Sequence, residues 1–558
     1  MMIILDHIHT TVFPWVIRDG VSIRGQVEYQ GKIYRGQALA ELIAPIASAV
    51  DEDSFMSLVN ALKGNFSIIA ERSDGSVWLA VDIASSLPLF YHRTDMLVSD
   101  EAELIRQKAG IEPADISPRN LGEQLLLCYS MFDHTAYAEI AQVDIGQCVF
   151  LSRGRCRKAF YYTHLQPIIP ETYAQAYDRY REANRRMADR MIQMLDGRQA
   201  VISLSGGYDS RYIIGILTEA GYENVVCYTI GKKDSYEMGF AQDICRKTGY
   251  PWYGFENTPE IAREQGSGYL DEYLLHANHH SALPHLSFYY AVRHLHEQGL
   301  IEPDAVFITG FCGDLPAGSF VFSPEDRQSL NYSTEFLAKL FYYDEYFNYD
   351  CASSVDEQYI DEIKQYITEK YDLQPIDFQS FVQLHDALFT VSRPGKFVVN
   401  ANRCFELCGH EWLLPLWDRD FLDYWYSVPY EYREKQKLYR DFLNRELFAR
   451  WGIDFLKSFD HVQPWYFRRD RLKTRIKHTL GSWYYRMSFA GGHPVKRKLD
   501  WDNQAEIMFA FYQRLQNKKA VNFRRPNINT IMHLWLCEQL YGSDEIRQAQ
   551  EFLNGTRS

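Results

Sequence analysis

The segment 200–221 constrains the fold more than any other. An apolar run, AVISL (200–204), passes through two adjacent glycines, Gly206 and Gly207, directly into the helical run YIIGILTEAG (212–221). A strand made only of apolar residues has no face for solvent, so it belongs in a parallel sheet covered on both sides. The pattern then repeats. NVVCYTIG (224–231) reads as a second buried strand, SYEMGFAQDICRKTG (235–249) as a helix ending on Gly249, and AVFITG (305–310) as a third strand. Buried strands alternating with helices predict a parallel sheet joined by right-handed crossovers. A long charged helix over 173–194 leads into it, and most of 335–555 reads as helical.

Residues 1 to about 165 follow another rhythm. GKIYRG, GNFSIIAE followed by RSDGS, VWLAVD, LPLFYH, GQCVFLSRGRC and KAFYY are short β-rich runs separated by Gly, Asp and Ser turns, which predicts antiparallel sheet. At least one helix, at 38–49 or 54–62, interrupts them. A chain of 558 residues exceeds what one core organises. Two domains are therefore expected, 1–165 and 170–558. No internal repeat or low-complexity linker occurs.

The net charge of −14 supplies no basic field for a polyanion, so nucleic acid is an unlikely partner. One basic stretch stands out: Arg468, Arg469, Arg471, Lys473, Arg475 and Lys477, with Tyr466, Phe467, Trp483, Tyr484 and Tyr485 around it. It reads first as a solvated helix face and second as an anion-binding one. No window of about 18 apolar residues occurs and the start lacks the pattern of a secretion signal, so no membrane span is expected and the cytoplasm is the expected location. The ten cysteines show no paired spacing, as reduced intracellular thiols would not. Cys404, Cys408 and His410 lack the second ligand pair of a zinc site.

The chemistry concentrates at Ser205-Gly206-Gly207-Tyr208-Asp209-Ser210. Two glycines let the backbone present N–H groups to an anion, hydroxyls flank them, and the following helix adds a partial positive charge. The loop is shaped for pyrophosphate, and it is not a Walker A loop because the Gly-Lys-Ser/Thr ending is missing. A second loop, Thr309-Gly310-Phe311-Cys312-Gly313-Asp314-Leu315-Pro316, also follows a buried strand. Both would lie at the carboxyl edge of the sheet, where Asp209 and Asp314 could jointly hold Mg2+. The residues expected to contact a ligand at this edge are Leu204, Ser205, Gly206, Gly207, Asp209, Ser210, Thr229, Ile230 and Gly310. His276, His279, His280 and His285 lie between the second and third strands, where an acceptor pocket with polar contacts or a base is expected.

These residues carry a resemblance. SGGYDS resembles the pyrophosphate loop of the ATP pyrophosphatase superfamily, whose members split ATP between its α and β phosphates. Glu411-Trp412-Leu413-Leu414-Pro415-Leu416-Trp417-Asp418 resembles the E-x-R-x-P-F-x-D segment of asparagine synthetases, with Leu413 in place of their arginine. Lys435, Lys437 and Arg440 resemble the same family's K-x-x-x-R segment; the register is off by one, Lys437 is favoured as the catalytic lysine, and Lys435 is held in reserve. GNFSIIAE, AVDIASSLPLFY and LVSDEAEL are similar to the family's N-terminal glutaminase domain.

The resemblance to the asparagine synthetase family implies an α/β protein: an Ntn-hydrolase-like αββα sandwich, then a parallel-sheet, adenine nucleotide α-hydrolase-like synthetase domain with helical additions. It implies an ATP- and Mg2+-dependent ligase that adenylates a carboxylate and passes it to ammonia or an amine, with Asp209, Asp314, Glu411 and Lys437 as catalytic residues. The glutaminase nucleophile of that family, an N-terminal cysteine, is missing: position 2 is Met2, the first cysteine is Cys128, and Lys32 in QGKIYRG (30–36) replaces an acid. The N-terminal domain is therefore expected to be degenerate, with nitrogen arriving as ammonia, as an amine or from a separate protein; a homodimer is a further expected arrangement. β-Lactam synthetases share the loss of this cysteine, but Phe311 lacks the hydroxyl of their tyrosine and reads as a packing residue. Amidation of a sugar acid or small metabolite ranks first, lactam or peptide cyclisation second, and a catalytically inactive binding subunit third.

Overall fold

The computed structural model describes residues 2–5, 12–49, 51–256, 258, 260–261, 271–284, 288–319, 331–346, 348–349, 351–375, 377–454, 511–516 and 528–556. His285 and the basic stretch 468–477 lie outside the described residues.

The first part runs β1 (Met2–Ile4), β2 (Val16–Arg18), β3 (Val21–Tyr29), β4 (Lys32–Arg35), α1 (Gly36–Ala49), α2 (Glu52–Ala61), β5 (Lys63–Glu71), β6 (Val77–Val81), β7 (Phe90–His92), β8 (Leu97–Ser99), α3 (Ala102–Ala109), α4 (Pro118–Leu127), β9 (Ile140–Gln142), β10 (Gln147–Ser152) and β11 (Arg155–Phe160). One sheet is ordered β11-β10-β6-β5-β3-β2, with β4 beside β3; the other is β1-β8-β7-β9. The pairs are antiparallel except β1 with β8, which is parallel and departs from the expected rhythm.

Alternation along a strand sends successive side chains to opposite faces, and β5 shows what this builds. Phe66, Ile68 and Ala70 pack with Ile43, Ala44, Phe55 and Val59 of α1 and α2. Ile69, with Leu79 and Val81 of β6, meets Leu89, Tyr91 and Val98 on the second sheet. Phe90 and Ile140 then turn outward to Ala102 and Ile105 of α3. The result is four layers, helix, sheet, sheet and helix, and both sequence-expected helices form.

The second part opens with α5 (Tyr173–Leu195), started by a capping box between Thr172 and Gln175. There follow β12 (Ala200–Ser203), α6 (Tyr208–Glu219), β13 (Val225–Gly231), α7 (Tyr236–Thr248), β14 (Trp252–Glu256), β15 (Val306–Ile308) and β16 (Glu411–Leu413). The sheet order is β14-β13-β12-β15-β16, parallel throughout. The chain winds from β12 outward to β14, then returns to the other side of β12 to lay down β15. The order reverses between β12 and β15, so the loops that follow them diverge and open a crevice at the carboxyl edge. The three expected strands are present; β14 and β16 extend the sheet at its two edges. Among the described residues no helix is long and apolar enough to cross a membrane.

Buried ion pairs join the two parts. Arg190 of α5 meets Glu28 of β3 at 2.8 Å, Asp420 at 2.7 Å, and Asp418. Asp144 is held by Lys396 at 3.0 Å and by the Tyr366 hydroxyl at 2.7 Å, with Lys370 3.5 Å away. His134 bridges two carboxylates, its Nδ1 3.1 Å from Glu123 of α4 and its Nε2 3.3 Å from Glu362 of the helix Ser353–Lys370. These three groups could hold a metal ion, but a carboxylate faces each ring nitrogen, which is the geometry of an imidazolium with two N–H donors. Burial opposes the ring's charge, yet Glu123 and Glu362 outweigh it and hold the pKa up to about 10.

His134→Gln should therefore cost about 3 kcal/mol at pH 7, the scale of losing one partner from a buried ionic cluster. The folded-state pKa lies above the ordinary 6.5, so this stabilisation is complete below about pH 6.5 and fades as pH rises through about 10. Urea denaturation across pH checks this: the two proteins should differ most at low and neutral pH and converge at high pH, whereas equal stability at pH 7 would contradict the bridge.

Candidate functional site

The loop after β12 is fixed by its own polar groups. Leu204 is buried; its N–H donates to the Tyr228 carbonyl at 2.8 Å, and its carbonyl accepts the Thr229 hydroxyl at 2.7 Å. The Ser205 N–H donates to Ser210 Oγ at 3.1 Å, the Gly207 N–H to Ser205 Oγ at 3.1 Å, and Ser210 Oγ to the Ser205 carbonyl at 3.0 Å. From behind, the buried Arg211 donates to the Gly207 carbonyl at 3.2 Å. Gly206 has no room for a side chain, because a Cβ there would stand 2.8 Å from the Phe240 ring. Its N–H donates to Glu237 Oε2 at 2.8 Å, so a carboxylate already sits at this donor of the loop.

Across the crevice, the loop after β15 passes so close that a Cβ on Gly310 would lie 3.0 Å from the carbonyl carbon of Asp209. This approach sets the two carboxylates side by side. The Asp314 N–H donates to Asp209 Oδ2 at 3.2 Å, the Tyr439 hydroxyl donates to Asp209 Oδ1 at 2.7 Å, and Ser319 Oγ donates to Asp314. Burial, and then the charge of Asp314, push the Asp209 carboxyl up to about 8. Among the described residues no lysine, arginine or histidine pairs with either aspartate. Two adjacent carboxylates without a counter-cation fit a hard divalent ion, which would bring the Asp209 pKa back down.

The remaining sequence-based assignments divide. Thr229 lies beneath the loop, where its hydroxyl also accepts the Trp252 indole N–H at 2.9 Å; Ile230 is half-buried near the end of β13. Phe311 packs on Phe288, with ring centroids 5.8 Å apart.

Glu411 stands apart from the two loops. It pairs with Val306 at the amino end of β16, opposite the loops, and binds Arg198 at 2.7 Å. Lys437 stands beside Tyr173. It is exposed at the start of the helix Lys437–Phe442, with its ammonium over the Tyr173 ring at 4.8 Å. Lys435 is exposed in a left-handed turn, while Arg440 lies over the ring of Tyr208, 5.0 Å from its centroid.

The histidines belong elsewhere as well. His279 Nδ1 is 3.1 Å and His276 Nδ1 3.6 Å from Glu101, and His280 Nε2 is 2.8 Å from Glu103. They line the seam with the first part, and burial lowers the His279 pKa to about 3. Tyr439 and Glu237 were missed by sequence reasoning. Tyr439 stands within the segment that resembles K-x-x-x-R, at a position the motif leaves open, and only the strand–loop–helix placement of SYEMGF hinted at Glu237.

The sheet order and the glycine loop at its switch point define the class, an α/β nucleotide-binding synthetase domain of the adenine nucleotide α-hydrolase type. The chain belongs to the asparagine synthase family, which matches residues 191–480, and so to the ATP-dependent enzymes that form amides. No curated protein is detectably similar to the chain.

Gly310→Ala tests the close approach. The added methyl meets backbone rather than a movable side chain, so nucleotide affinity should fall at least about tenfold, the scale of 1.4 kcal/mol. Thermal unfolding should show a folded protein. Unchanged ATP binding by titration calorimetry would show that the loops do not need this contact.

Proposed function

We propose that the protein joins a carboxylate to ammonia or an amine through an acyl-adenylate, forming AMP and pyrophosphate. The observation that supports this best is the Asp209–Asp314 pair beside a glycine loop with anion-seeking N–H groups. In this reading the triphosphate lies over residues 205–210 and the adenine near the end of β13. The Gly206 N–H exchanges the Glu237 carboxylate for a phosphate oxygen. Mg2+, held by Asp209 and Asp314, would supply charge neutralisation at the phosphates.

The residues themselves position and neutralise. The loop N–H groups and the amino end of α6 draw the pyrophosphate, and Arg440, beside Tyr208, adds positive charge near the loop. A substrate carboxylate oxygen then attacks the α-phosphorus in line and pyrophosphate leaves, a step served mainly by orientation and electrostatics. The amine attacks the acyl carbon, loses its proton, and AMP departs with the oxygen it gained.

The supply of nitrogen follows from the first part, residues 1–165, which we take as a degenerate glutaminase-like domain ahead of the adenylating domain 170–558. Cys128 is the first cysteine; it is buried and its thiol is pushed up to about 12 by burial. A thiol in that state is no nucleophile. Free ammonia, an amine substrate or a separate protein then provides the nitrogen. A sugar acid or small metabolite is the carboxylate class we favour, and the cytoplasm the setting.

Purified protein incubated with Mg-ATP, ammonia and a panel of carboxylates should release AMP and pyrophosphate with one class of acid. Asp209→Ala and Asp314→Ala should each lower the rate at least about a hundredfold, the scale of about 2.7 kcal/mol in transition-state stabilisation. ADP and inorganic phosphate as products would overturn the reading.

A further inference from the structure

The segment after the EWLLPLWD motif makes three successive contacts with the carboxylate loop. Arg433, fully buried and ion-paired with Asp386, donates from Nε to the Pro316 carbonyl at 2.8 Å. Gln436 donates from Nε2 to Ser319 Oγ at 2.6 Å, and that hydroxyl donates in turn to Asp314. Tyr439 donates to Asp209 Oδ1 at 2.7 Å. Its ring is buried edge-on against Tyr212 and Trp425, with centroids 5.8 and 5.9 Å away, which fixes where the hydroxyl points.

The backbone between these contacts is strained. Lys435 (φ 53°, ψ 29°) and Gln436 (φ 58°, ψ 31°) are consecutive left-handed residues, and neither is glycine. Side chains disfavour this region, and two in a row persist only where the flanks hold them. Here the flanks are Arg433 on one side and the buried Leu438, Tyr439 and Phe442 on the other. The turn aims Gln436 at Ser319 and, past it, directs Tyr439 onto Asp209.

We propose that residues 433–439 form a clamp that sets the relative orientation of Asp209 and Asp314 for a divalent cation, with Tyr439 and Gln436 as its positioning residues. With Oδ1 bonded to Tyr439 and Oδ2 to the Asp314 N–H, the Asp209 carboxylate cannot rotate. Gln436 reaches Asp314 through Ser319, so one short segment governs both ligands. This rests on the reading that the aspartate pair binds the cation.

The test is Mn2+ binding to the full-length protein, followed by electron paramagnetic resonance, in wild type, Asp209→Ala, Tyr439→Phe and Gln436→Ala. Groups that orient metal ligands typically govern affinity by about 10- to 100-fold. Tyr439→Phe should weaken Mn2+ by at least about tenfold and Gln436→Ala, one bond further out, by about threefold, with unchanged melting temperatures. Activity of Tyr439→Phe should return towards the wild-type kcat at saturating Mg2+, because orientation and not chemistry is lost. If the wild type shows no Mn2+ site that Asp209→Ala removes, the underlying cation reading fails. If that site exists but Tyr439→Phe and Gln436→Ala bind as the wild type does, the clamp is wrong. Gln436 is half-exposed, so its variant decides the matter even if Tyr439→Phe folds poorly.

Discussion

Pairing of β12 with β15 in register, Ala200 opposite Val306 and Ile202 opposite Ile308, brings two loops off the sheet at the same height and forces them past each other. A Cβ on Gly310 would stand 3.0 Å from the Asp209 backbone, and this close approach brings Asp314 to Asp209. Much else follows from this crowding. Asp209 is buried beside a second carboxylate and its pKa is raised, so the folded protein holds a cation-shaped electrostatic deficit at the carboxyl edge. Tyr439, Ser319 and the backbone N–H of Asp314 satisfy oxygen lone pairs there without cancelling the charge. In the proposed function, a Mg-bound polyphosphate would answer both the deficit and the N–H groups of the neighbouring glycine loop.

Much of this was legible in the sequence because it depends on local pattern. A wholly apolar strand running into Gly206 and Gly207 implies both a parallel sheet and a turn that exposes N–H groups, and a second such strand before Gly310 and Asp314 places the partner loop on the same edge. What was not legible depends on tertiary direction. β16 is only three residues long, inside a run of tryptophans and leucines that carries no period. Its parallel orientation puts Glu411 at the far end from the loops, about 3.3 Å per residue away. Lys437 points elsewhere for a helical reason: it and Tyr439 lie two residues apart, about 200° around the axis, so when Tyr439 faces Asp209 the lysine faces Tyr173. The histidines were misplaced because nothing local reveals that Glu101 and Glu103 come to meet residues 276–280.

The first part is bound to the second by charge rather than by apolar packing alone. Arg190 with three acids, Asp144 with two lysines, and His134 between two glutamates are largely but not wholly removed from water. Such pairs contribute little net stability but are strongly destabilising when half-broken, so they fix how the parts sit against each other. The seam includes Asp418 and Asp420, which precede residues 433–439 along the chain.

The central claim is that the carboxylate substrate attacks the α-phosphorus of ATP. The most direct measurement uses the acid that supports turnover, labelled with 18O in its carboxylate, and mass spectrometry of the nucleotide product. Attack on the α-phosphorus leaves one substrate oxygen on phosphorus when the amide forms, so AMP should carry a single 18O. Label found in inorganic phosphate, with unlabelled nucleotide, would mean that an acyl phosphate forms instead and would contradict the account.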